Sequence, residues 1–177
     1  MKNFKYILTF ILFIFFTTSA YSQSKIATLN VVQLLKDSKA AISMKDQLNA
    51  VAKKYTEEDQ KKQKELGKKE EELLRQKATL TPEAFSDRKN TFEKKVIEFN
   101  KNSQNKRKAI AKAEKEAVNQ IEDEVEKIVQ QIIDTENITA VFRKSALILG
   151  DTSIDITKKV VDELNKNLST VKVNVAP

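Results

Sequence analysis

The sequence predicts an α+β, mostly helical protein: a long antiparallel coiled-coil hairpin stands as an arm on a small β body, and self-association closes the body. Three observations carry this. The chain has 177 residues but only 2 Gly and 2 Pro, so little material is available for turns and the elements must be long. Between residues 38 and 136 apolar side chains recur in the alternating four-three spacing of a coiled coil, interrupted at Thr81-Pro82. The strand-like apolar runs sit only at the two ends, and they are too few to bury a core unaided.

Composition narrows the chemistry. There are 32 Lys plus Arg against 25 Asp plus Glu, a formal charge of +7, and neither Cys nor His. That removes thiolate and imidazole nucleophiles, the usual zinc ligands and disulfides. It also removes every side chain that titrates near neutrality when unperturbed. Carboxylates abound, but nothing pairs them in a dry cleft, and no phosphate loop of the GxxxxGK type is present. Neither an enzyme nor a cofactor or metal site is expected.

Residues 1–22 read as a secretory signal peptide: Lys2 and Lys5, a short apolar core from Ile7 to Phe16, then the small-x-small end Ala20-Tyr21-Ser22. The core is about half of the ~20 residues needed to cross a bilayer. Cleavage is placed after Ser22, with Ala20 as the other candidate. It leaves 30 bases against 25 acids, so the exported chain stays basic.

A β body is assigned to residues 23–37 and 137–170. Lys25–Leu29 is a strand. Asn30 then caps a short helix over 31–36, with Gln33 in the capping-box position. Ile138–Phe142 and Ala146–Leu149 are two more strands, joined through Arg143-Lys144-Ser145. Thr157 caps a last helix, with Ile156 and Val161 as its hydrophobic staple and Val160, Val161, Leu164 and Leu168 on one face. The tail, 171–177, is expected to fray.

The arm spans 38–136, with its tip near 78–84. Thr81 is an N-cap, Pro82 takes the first helical position, Glu83 favours the helix N-terminus, and Leu80 and Phe85 are spaced as a staple. Met44, Leu48, Val51, Tyr55, Leu66 and Leu73 line one helix. Phe92, Val96, Phe99, Ser103, Lys106, Ile110, Ala113 and Ala117 line the other; after a one-residue slip Ile121, Val125, Ile128 and Ile132 follow. A turn near 80 sets Ile42 near Ile121, Leu48 near Ala113, Val51 near Ile110 and Leu66 near Val96. The same register brings two stretches without apolar residues together, 56–65 and 100–108. Helix propensity alone is marginal in water, so this middle zone is expected to be compliant, the alternative being a solvated stretch held straight by ion pairs. Residues 122–136 face no hairpin partner and must pack on the body.

The order of these pieces resembles the Skp (OmpH) family of periplasmic chaperones. The residues that carry it are Lys25-Ile26-Ala27-Thr28-Leu29-Asn30 behind the signal peptide, the charged hairpin, and the closing stretch 138–164 with Asp155-Ile156-Thr157 before a helix. A longer tail past 168 and a Thr-Pro tip depart from the family pattern. The resemblance implies a homotrimer whose β body carries three arms around a cavity. It implies an ATP-independent holdase for unfolded outer-membrane proteins in the periplasm. The other reading of the same helices is a structural coiled-coil spacer or adaptor of the cell envelope. Nucleic acid is not an expected partner, because the chain is exported and the arm charges nearly balance.

A holdase needs many weak contacts rather than a reaction. A basic belt lies halfway along the arm: Lys101, Lys106, Arg107, Lys108 and Lys112 on one helix, Lys53, Lys54, Lys61, Lys62 and Lys64 on the other. Its expected partners are acidic unfolded porins and anionic lipid or lipopolysaccharide surfaces. Leu74, Leu80, Phe85 and Ile97 are not needed in the seam and are assigned to apolar client contact, with local packing as the other assignment. Ile26, Leu29, Val141, Leu147 and Leu149 are assigned to the trimer interface, with packing inside one chain as the other assignment.

Overall fold

A computed structural model describes residues 24–176; the predicted signal peptide, its cleavage site and Pro177 lie outside them. The order is β1 (Lys25–Leu29), α1 (Val31–Asp37), α2 (Lys39–Gln76), α3 (Pro82–Glu136), β2 (Ile138–Arg143) and α4 (Thr157–Asn167). Short 3-10 turns at Lys144–Ala146 and Thr152–Ile154 lie between β2 and α4. Helices of 38 and 55 residues would be about 57 and 80 Å long at ~1.5 Å per residue, far longer than a compact body of this size.

Local signals in the sequence account for the helix ends. The Asn30 side chain accepts from Gln33 N, Ser38 from Ala41 N and Thr81 from Ala84 N, so each side chain satisfies one of the orphan donors at a helix start. Pro82 opens α3. Asn137 closes it with φ 53°, in the left-handed region where Asn is tolerated, and its N–H donates to Ile133 O.

β1 and β2 pair in parallel, with Ile26 opposite Ala140 and Leu29 opposite Arg143. Parallel strands need a long crossover, and here the whole arm is that crossover. Thr28 on β1 also bridges Asp155, and Ile156 N donates to Thr28 O. The core gathers where the arm roots meet the body: Ala27, Leu34, Ala40, Ala117, Ile121, Ile128, Ile132, Val160 and Leu164 are buried together.

Four expectations are corrected. Ala146–Leu149 is not a strand. Its first residue closes a 3-10 turn, Lys144 is held by Asp155 at 2.5 Å, and 155–156 already occupy the far side of β1. The turn and the ion pair hold the run away from the sheet, so it stays a loop although the outer edge of β2 is open. Thr157 does not cap α4: Asp155 Oδ1 accepts from Thr157 N, and the Thr157 hydroxyl accepts from Asn30 N at 2.8 Å. That leaves Asn30 N with Thr157 rather than with a capping-box Gln33. Ile42 is half-exposed while Ala40 and Ala41 are buried, because the root of α2 also packs on α1 and α4 and its buried face turns accordingly. The tail does not fray: Val171 is 4% exposed and belongs to the core.

Candidate functional site

The arm and the outer surface of the body hold the candidate residues. At mid-arm both helices run unbroken through the polar zone, and a hydrogen-bonded cluster fills the seam there. Ser103 Oγ donates to Asp59 Oδ2 at 2.7 Å. Lys106 Nζ donates to Asp59 Oδ1 at 2.8 Å and to Glu58 Oε2 at 2.9 Å, and it stands 5.0 Å from the centroid of the Tyr55 ring. Ser103–Asp59 and Tyr55–Lys106 fall on the predicted register, and the tip pair Arg88–Gln76 falls within a turn of it.

The electrostatics follow. Hydrogen bonds from Lys106 hold the Glu58 and Asp59 carboxyls below their ordinary values, with Ser103 adding to the effect at Asp59. Burial pulls the Lys106 ammonium down, but the hydrogen bonds it donates to Asp59 and Glu58 outweigh it and leave the pKa raised. Lys106 is only 13% exposed along its side chain, so it belongs to the seam rather than to a belt open to partners.

The other belt residues are exposed. Lys62 pairs with Glu65 at 3.4 Å and Lys112 with Glu116 at 3.8 Å along their own helices. Lys53, Lys54, Lys61, Lys64, Lys101, Arg107 and Lys108 make no ion pair among the described residues.

Leu74 and Ile97 are solvent-exposed on the distal arm, as a client-contact role requires. Leu80 and Phe85 are half-buried at the tip. Just below the tip the helices part over an open cleft of about 350 Å³, walled by Leu73, Phe92 and the stems of Lys69, Arg88 and Lys95.

On the body, the residues assigned to a trimer interface divide. Leu29 is buried in the chain's own core and Val141 packs against it. Ile26 is partly exposed, Leu147 half-buried and Leu149 89% exposed. Sequence reasoning missed Val32, Phe142 and Ile148, the last 97% exposed. An apolar groove of about 360 Å³ lies between α1, α3 and β2, lined by Val31, Leu35, Val125, Val129, Val141 and Phe142. The Asp59 cluster was also missed, although the predicted register places Asp59 opposite Ser103. No cluster of residues suited to a metal occurs among the described residues.

The family model for OmpH-like outer membrane proteins matches residues 25–164. In fold, the chain is similar to the crystal structure of a candidate outer membrane chaperone (OmpH-like) from Caulobacter crescentus CB15. The TM-score is 0.80 at 17% identity, over 90% of this chain and 95% of that one. Among curated proteins, none matches this chain.

Proposed function

The chain belongs to the OmpH-like outer membrane protein family, and on that premise we propose that it is an ATP-independent holdase for unfolded outer-membrane proteins in the periplasm. The observation that carries this reading is the arm. Two helices of 38 and 55 residues spring from a small body and present exposed Leu74 and Ile97 beside unpaired bases. Many weak apolar contacts, with charge to draw an acidic chain in, hold a client without a reaction. The exposed face of Lys53, Lys54, Lys61, Lys64, Lys101, Arg107 and Lys108 is the proposed capture surface, with anionic lipid or lipopolysaccharide as a second class of partner.

Self-association into a homotrimer is part of the proposal. The outer edge of β2 has no ladder partner among the described residues. Ile148 and Leu149 stand in solvent on the loop after β2, and the groove beside Phe142 is apolar and open. A second copy would cover all three, and cyclic closure would leave none exposed. Export with cleavage near Ser22 completes the proposal; among the described residues no helix is long and apolar enough to cross a membrane.

One observation favours the spacer reading: the Asp59–Lys106 cluster ties the helices together at mid-arm, as a stiff rod would need. Dilution of a urea-unfolded outer-membrane porin into nucleotide-free buffer separates the two. A holdase suppresses the turbidity, less so as salt rises. A spacer leaves the turbidity unchanged.

A further inference from the structure

We propose that the C-terminal segment Leu168–Ala176 is a strap that clamps the root of α2 to the body and so limits movement of the arm at its root. The segment lies past residue 164, where the family match ends. It has the period of a strand: Val171 is buried, Val173 and Val175 half-buried, and Lys172 and Asn174 exposed.

No strand lies beside it. Its partner is a side chain of α2. Gln47 Nε2 donates to Val171 O at 2.8 Å, and Val173 N donates to Gln47 Oε1 at 3.3 Å. The amide thus meets the carbonyl and the N–H on either side of Lys172, as the N–H and C=O of one residue in a neighbouring parallel strand would. The Gln47 amide is held in turn by Ser43 Oγ at 3.1 Å, and Ser43 Oγ shares a hydrogen bond with Thr170 Oγ1 at 2.8 Å. A half-buried Gln with both amide atoms committed to one extended segment is a clip.

The strap covers α2 from Ser43 to Gln47, at the root of the apolar seam. With that root fixed, bending of α2 where the arm meets the body is opposed. On the holdase reading, the strap limits how far the arms splay around a client.

Hydrogen exchange of the client-free mature protein tests the strap without appeal to client binding. Two variants are compared with the intact chain: one ending after Leu168, and full-length Gln47→Met, which keeps the stem and removes the amide. The loss of three hydrogen bonds and one buried Val predicts at least roughly tenfold faster exchange over residues 40–52 on truncation, and a smaller rise in Gln47→Met. Exchange in α4 and around Leu66 stays as in the intact chain. Unchanged exchange over 40–52 in both variants would overturn the strap. So would an equal rise throughout the molecule, which would make the segment a general stabiliser. Porin turbidity measured separately on the same variants reports on the holdase reading.

Discussion

Lys106 shows how much one residue's surroundings decide. In the sequence it is one of six bases in a basic run, and charge alone makes it a capture residue. In the fold it lies between the helices, bonded to two carboxylates and set near an aromatic ring. Lys106→Met is expected to destabilise the arm by about 1 kcal/mol, since Asp59 keeps Ser103 and some solvent. Melting temperature and the exchange of residues 55–66 would read it. The sign of the pH effect is set by the shifts. Asp59 and Glu58 are depressed in the folded arm, so their contribution is full above the ordinary carboxylate range and fades as pH falls through it, below about pH 4. Lys106 is raised, so its share is full below the ordinary lysine range and fades only above it. The intact arm is thus expected to lose stability in acid faster than Lys106→Met, and equal acid profiles would contradict this. Ser103 and Lys106 could be placed in the seam from spacing. That Asp59 would answer them required the register to be followed residue by residue.

At the scale of elements, what was legible followed from local chemistry. Asn30, Ser38, Thr81 and Pro82 start helices by satisfying or removing orphan donors, and these effects need no partner elsewhere in the chain. Thr81→Ala is therefore expected to fray the first turn of α3 and to cost about 1 kcal/mol. Faster exchange near residues 82–86, with the arm root unaffected, would show it. β1 and β2 were legible although they pair with each other across the whole arm, but other elements that depend on distant partners were not. Ala146–Leu149 has the composition of a strand, but the turn at Lys144–Ala146 and the Lys144–Asp155 ion pair hold it off the sheet. Thr157 has the composition of a cap, but Asp155 takes that role while the Thr157 hydroxyl serves Asn30 on the far side of the body. The tail has a two-residue alternation, yet its partner is a glutamine side chain, which no periodicity in the tail foretells. The junction of arm and body carries the core, so Ile121→Ala, at a fully buried position, is expected to cost about 2–5 kcal/mol. Chemical denaturation would measure it, and a loss under 1 kcal/mol would place the core elsewhere.

For the whole molecule, one imbalance governs the account. A long arm rests on a two-stranded sheet with an unpaired edge, Ile148 and Leu149 protrude from the loop after β2, and an open apolar groove lies between α1, α3 and β2. A charge in that surface should cost a monomer little and an assembly much. Ile148→Asp is expected to shift the mature protein from three chains to one at micromolar concentration, as read by light scattering. An unchanged mass would remove these residues from the interface. The most direct test of the central claim is the mass in solution of the mature protein mixed with a urea-unfolded outer-membrane porin, without nucleotide. The account predicts a soluble complex of three chains and a porin. A precipitated porin beside a lone, single-chain protein would contradict it.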